Sequence, residues 1–70
     1  MNAAALKGKI ISKGYNIENF CKEVGIGRST FDRRMSGKSE FDRGEISRMI
    51  RVLDLTMDDV ADIFFTKEVA

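Results

Sequence analysis

One apolar pattern constrains the fold of this chain more than any other feature, because it has the period of an α-helix and stops at a glycine. Its positions are i, i+3, i+4 and i+7 without a miss, and its members are Ile17, Phe20, Cys21 and Val24. Gly25 follows directly, and glycine suits the left-handed residue that commonly ends a helix. The 70-residue sequence has six glycines and no proline, which favours helices because helix interiors exclude proline. The sequence therefore predicts an all-α domain.

One further helix is predicted on each side of this one. The first ends at Gly14, and the third covers about residues 28–36, with Gly37 after it. Gly27 takes the cap position of the third helix, so only residues 25–27 separate it from the second. The inward residues of these two helices are Ala3, Leu6 and Ile10 in the first, and Phe31 and Met35 in the third.

A capping box begins each of the two helices predicted in the second half of the chain. Asp42 and Glu45 form the box of the fourth helix. Thr56 and Asp59 form that of the fifth. The inward residues that follow are Ile46, Met49, Ile50 and Leu53 in the fourth helix, and Met57, Val60, Ala61 and Phe64 in the fifth. No strand pattern, repeat or linker is found, so the sequence predicts a compact bundle of about five short helices.

The length of the chain suits one domain, residues 1–70, with a core over about residues 3–65. A single cysteine, Cys21, cannot form an intramolecular disulfide, and its place on an apolar stripe indicates a buried structural thiol. No apolar run reaches the roughly 18 residues of a membrane span. Lys7 and Lys9 interrupt the amino-terminal alanines too early for a signal peptide. We therefore expect a cytoplasmic protein without a membrane partner.

Charge is distributed unevenly along the chain, although its net value is only +1. Residues 1–27 carry four lysines against two glutamates, and residues 28–43 carry five basic groups against three acidic ones. Residues 44–56 balance, whereas residues 57–70 hold four acidic groups against one lysine. This basic front and acidic tail would orient a polyanion such as nucleic acid toward the front.

The sequence offers few arrangements of residues for nucleophilic catalysis. Histidine is absent, and the one cysteine has no base to activate it. The GKS sequence at residues 37–39 is similar to the end of a phosphate-binding loop, but Asp32 stands where that loop needs a glycine. Capping and a solvated face explain the acidic residues of the fifth helix better than a metal site does, namely Asp58, Asp59 and Asp62. We expect no enzymatic activity, no cofactor or metal and no small-molecule substrate.

The third helix presents an outward face of hydrogen-bonding side chains. Two helices joined by a three-residue turn that contains glycine form a helix-turn-helix, in which the second helix is held against DNA. With Phe31 buried, Arg33 and Ser29 lie on the opposite side of the helix. Arginine suits guanine because its planar fork donates to O6 and N7 together. The candidate base contacts are Arg28, Ser29, Asp32 and Arg33. Asp32 can accept from a cytosine amino group or pair with Arg28, and both roles stay open.

Phosphate contacts need donors near this face but little geometry. Suitable donors flank the third helix, follow it and begin the fourth helix. The first N–H groups of the second helix, beside its cap residue, form a further anion site. The candidate phosphate contacts are Asn16, Ile17, Thr30, Arg34, Lys38, Ser39 and Arg43.

The stretch YNIENFCKEVGIGRSTFDRRMSGKSEF, residues 15–41, resembles the helix-turn-helix of the phage Cro and repressor family, and the five-helix outline extends the likeness over about residues 3–65. The marks that carry it are Cys21, Gly25, Ile26, Phe31 and Gly37. The resemblance implies a λ-repressor-like fold with the third helix in the major groove. It also implies sequence-specific binding of double-stranded DNA by a phage-type transcriptional regulator. Two positions depart from the family pattern, since Ile17 stands where glutamine is frequent and Gly27 where a serine or threonine cap is common.

The resemblance further implies a homodimer on paired half-sites about 10 to 10.5 base pairs apart. The apolar residues near the end of the chain offer a dimer patch formed by Ile63, Phe65 and Val69. Phe65 can instead fold back onto the first helix. The rival hypothesis is a protein-interaction module of antitoxin or antirepressor type, which acts through the C-terminal helix rather than the third.

Overall fold

The computed structural model describes residues 1–65 of the chain. This part contains five α-helices and no strand. They are α1 (Ala3–Ser12), α2 (Ile17–Val24), α3 (Arg28–Met35), α4 (Arg43–Leu53) and α5 (Met57–Phe64). The all-α prediction and the number of helices are confirmed. Even α4, with 11 residues, is far shorter than the roughly 20 residues that cross a bilayer, and no helix of residues 1–65 qualifies as a membrane span.

Local capping boxes begin α4 and α5 where the sequence predicts. In the box of α4, the Glu45 N–H donates to Asp42 Oδ1 at 2.7 Å and the Asp42 N–H donates to Glu45 Oε1 at 2.9 Å. Thr56 and Asp59 exchange the corresponding bonds at the start of α5. Each box satisfies backbone donors that a helix end leaves without an intrahelical partner. Both predicted boxes are therefore confirmed.

A chain of aromatic rings runs through the core. Phe20 of α2 and Phe31 of α3 meet edge to face with ring centroids 6.0 Å apart, and Phe31 meets Phe41 at 5.9 Å. Phe41 lies in the loop between α3 and α4, yet its side chain is only 8% exposed. Helical periodicity could not identify it as a core residue, because it belongs to no helix. The ring of Phe41 thereby anchors the loop beneath α3.

The connection between α2 and α3 is short and fixed by backbone geometry. Gly25 ends α2 with φ +70°, in the left-handed region that favours glycine. Ile26 turns inward and is buried, and its N–H donates to the Cys21 carbonyl at 3.0 Å. Gly27 precedes α3 without a side-chain cap. These three residues therefore fix where α3 begins relative to α2.

Helix α4 braces the end of α2 through a residue that the sequence did not single out. Arg48 Nε donates to the carbonyl of Val24, the last residue of α2, at 2.8 Å. That carbonyl lies in the last turn, where an intrahelical donor is missing, and a cation at this end also complements the helix dipole. The guanidinium therefore ties α4 to the α2–α3 connection.

The buried face of α5 agrees with the predicted one only in part. Phe64 packs against the core and Val60 is half-buried, as predicted. Ile63 is 1% exposed and belongs to the core, whereas Met57 is 86% exposed and Ala61 also lies outside. Helix α5 contacts the amino-terminal part of the chain, where the Asn2 N–H donates to the Ile63 carbonyl at 2.7 Å and Lys9 Nζ lies 3.1 Å from Asp59 Oδ1. The Thr56 backbone N–H and the Lys9 ammonium lower the pKa of Asp59, so this carboxylate keeps its charge. These contacts join α5 to the amino-terminal part of the chain.

Candidate nucleic-acid interface

The outward face of α3 consists of four exposed residues, Arg28, Ser29, Asp32 and Arg33, and Ser36, the C-cap residue, is exposed beyond them. The opposite side of the helix carries Phe31, which is 2% exposed and anchors α3 to the core. The predicted division of this helix into a buried and an open side is therefore confirmed. Base contacts by Arg28, Ser29, Asp32 and Arg33 remain a prediction.

Arg28 and Asp32 pair along the outward face of α3. Arg28 Nε donates to Asp32 Oδ1 at 3.1 Å, across one helical turn, and about half or more of each side chain stays exposed. Such exposed pairs contribute little stability, typically about 0.2–1 kcal/mol. The Asp32 carboxylate therefore offsets the positive charge of Arg28 on this surface.

Arg33 lies one turn from Ser29 on the same face and is exposed. Its Nη2 lies 3.5 Å from Thr30 Oγ1, a long and weak hydrogen bond. Within residues 1–65, Arg33 has no carboxylate at ion-pair distance. Its guanidinium therefore keeps its full charge and most of its donors for an external acceptor.

Arg34, the next residue, points the other way. Its Nε lies 2.8 Å from Glu45 Oε1 at ion-pair distance, although the N–H is not aligned for a hydrogen bond. Its Nη2 donates to Glu45 Oε2 at 3.2 Å, and its Nη1 donates to Ser39 Oγ at 3.0 Å. Arg34 and Ser39 thus use these groups in an internal network, and their predicted contact with phosphate stays a prediction. The sequence predicts Glu45 only as a capping residue, because its ion-pair partner Arg34 is 11 positions away.

The remaining candidates for phosphate contact differ in accessibility. Lys38 and Arg43 are exposed, whereas Thr30 is half-buried. Asn16 uses its side-chain oxygen to cap α2, where it accepts from the Asn19 N–H at 2.8 Å. Ile17 packs its side chain against the core, so only its backbone N–H, in the first turn of α2, is suited to an anion. The side-chain donors that stay on the surface are thus Lys38 and Arg43.

Of the three residues of the predicted dimer patch, Phe65 is the one that is described and exposed. The prediction for Ile63 is wrong, because its side chain is enclosed in the core of the single chain. Phe65 is 73% exposed, whereas Val69 lies outside the described residues. A surface cavity of about 400 Å³ adjoins Phe65, with apolar lining from Met1, Met35, Phe41, Ile46 and Phe64.

Cys21 sits on the inner side of α2 and is 5% exposed. Burial raises the pKa of its thiol, an effect that the nearby Arg28 charge opposes. A raised pKa keeps the thiol protonated and unreactive near neutral pH. No three histidine, cysteine or acidic side chains of residues 1–65 are grouped to hold a metal ion.

The fold and this surface define a small all-helical domain in which α3 exposes Arg28 and Arg33 on its outward face. The sequence matches a protein family described as "Protein of unknown function (DUF739)" over residues 2–67, and the chain belongs to this family. No curated protein and no solved structure matches it.

Proposed function

We propose that this protein binds double-stranded DNA sequence-specifically, as a phage-type transcriptional regulator of the Cro or repressor kind. In this proposal α2 and α3 form a helix-turn-helix with α3 in the major groove. The observation that carries it is the exposed guanidinium of Arg33, which has no carboxylate partner among residues 1–65, on the outward face of a helix whose other side is anchored by Phe31. A rigid helix with one uncompensated arginine is suited to reading a base edge.

The dimensions of α3 support entry into the groove. Its eight residues span about 12 Å at 1.5 Å per residue, comparable with the major groove width of about 12 Å. Arg33 would donate to O6 and N7 of one guanine, and Ser29, one turn earlier, would meet a neighbouring base edge or phosphate. The short connection through Gly25 and the aromatic contact between Phe20 and Phe31 hold the helix in one orientation, which base recognition requires.

Phosphate contacts would fix the domain on the duplex. Lys38 follows α3 and Arg43 begins α4, and both are exposed. The first-turn N–H groups of α2, at Ile17 and Glu18, would face a second phosphate, since a helix N-terminus favours an anion. The uneven charge of the chain supports this orientation, because residues 28–43 are basic and residues 57–70 are acidic.

Two copies would bind paired half-sites about one DNA turn apart. Phe65 supports an apolar contact between them, because a large exposed aromatic side chain gains from burial. The same exposed end of α5 supports the second candidate function, a protein-interaction module in which α5 binds a different partner and α3 binds none.

Selection of binding sites from a pool of random duplexes at a stated salt concentration tests the proposal. We expect enrichment of one sequence with two related half-sites, because specific affinity exceeds non-specific affinity by about 10³-fold or more in such proteins. If no sequence is enriched and all duplexes bind with equal affinity, sequence-specific binding is rejected and the protein-interaction module is favoured.

A further inference from the structure

Three arginines on α3 differ in how their charge is compensated. Arg34 is committed to Glu45 inside the fold, Arg28 is held by Asp32 on the surface, and Arg33 has no carboxylate partner within residues 1–65. A helix with three arginines thus offers one uncompensated cation to an approaching duplex.

This compensation matters because free cations bind any phosphate. Non-specific affinity for DNA comes almost entirely from neutralised phosphates and is steeply salt-dependent. The Asp32 carboxylate lies on the outward face itself, 3.1 Å from Arg28 Nε, and both side chains remain more than half exposed. A duplex that meets this face therefore encounters an anion beside Arg28.

We infer that Asp32 is a specificity-determining residue that acts through Arg28. By placing a carboxylate beside the guanidinium, Asp32 weakens non-specific binding of phosphate by Arg28, and the discrimination of the domain rests on Arg33. This inference depends on the proposed DNA binding, and it assigns to Asp32 a pairing role instead of contact with a cytosine.

Asp32→Asn tests the inference, because the amide preserves the shape of an exposed side chain and removes its charge. Binding of a non-specific duplex is measured from about 50 mM to about 200 mM salt, and freeing Arg28 to neutralise one phosphate steepens the slope of log K against log salt by about 0.9. Lowering the salt across this range then strengthens binding by the variant about 3.5-fold more than binding by the wild type. The ratio of specific to non-specific affinity falls accordingly.

Asp58→Asn is the matched control. Asp58 is exposed on α5 and is not a member of the capping box, and its replacement changes the net charge by the same amount. We expect its salt slope to equal that of the wild type. Equal slopes for the two variants would overturn the inference, since the effect of Asp32 would then be only that of total charge.

Arg28→Met separates pairing from simple repulsion. If Asp32 acts through Arg28, adding Asp32→Asn to Arg28→Met leaves the salt slope unchanged. A steeper slope in the double variant would overturn the inference. A loss of preference at a C·G pair with an unchanged slope would also overturn the inference, because Asp32 would then read a base.

Failure of the wild type to discriminate among duplexes would reject the proposed function, and this inference with it. The other outcomes leave the proposed function intact.

Discussion

Arg34 and Glu45 join the end of α3 to the start of α4 through an ion pair that is largely withdrawn from solvent. The two side chains are 19% and 10% exposed, and the same carboxylate accepts the Asp42 N–H that begins α4. One acidic residue thus fixes two helices at once. The pair therefore helps to fix the orientation of α3, the helix that carries the candidate interface.

Replacing Arg34 with Met is expected to lower the free energy of unfolding by about 2 kcal/mol. Breaking a fully buried pair costs about 3–5 kcal/mol, because it leaves one charge without its partner, and the residual exposure of Arg34 and Glu45 reduces that cost. Urea denaturation measures the change. Arg33→Met is the matched control on the same helix, and it should alter stability by less than about 0.5 kcal/mol. Equal losses in the two variants would contradict the assignment of Arg34 to the internal network.

The thiol of Cys21 is expected to react slowly in the folded protein. Its burial both blocks access and raises the thiol pKa, so little thiolate is present near neutral pH. Modification by a thiol reagent, followed by absorbance in buffer and in denaturant, compares the two states. We expect rapid reaction in denaturant only, and equal rates in both would show that the inner side of α2 opens readily.

Phe65 is expected to mediate self-association. Phe65→Lys replaces an exposed aromatic side chain with a charge and should shift the sedimenting species from dimer to monomer. Ile11→Lys is the control, because Ile11 is an exposed apolar residue on α1 and is 56% exposed. If both variants sediment like the wild type, Phe65 lies outside any interface between copies.

The fold was predictable where the signals are local. Four of the five helices show inward residues that agree well with the predicted stripes, and Gly25 and the capping boxes act within a few residues of one another. Helix α5 was the exception. It has only eight residues and is apolar at several neighbouring positions, so its own pattern fits more than one buried face. Its packing also involves Asn2 and Lys9, which are far away in sequence and leave no mark on the local pattern.

The candidate interface was predictable as an exposed surface but not in its internal pairing. The spacing of Ser29 and Arg33 opposite Phe31 is a property of one helix, and the structure agrees with it. Which arginine turns inward depends on Glu45, a residue of a different helix. The brace from Arg48 to the Val24 carbonyl spans 24 positions, and no local pattern marks it.

The most direct measurement is the effect of Arg33→Ala on the ratio between affinity for the selected duplex and affinity for a scrambled one. Loss of a bidentate contact to guanine costs about 1–3 kcal/mol, so the ratio should fall about 5- to 150-fold with relaxed preference at one base pair. Arg51→Ala removes the same charge from an exposed position on α4 and should leave the ratio unchanged. An Arg33→Ala variant that discriminates between the two duplexes as well as Arg51→Ala would contradict the reading of DNA by α3.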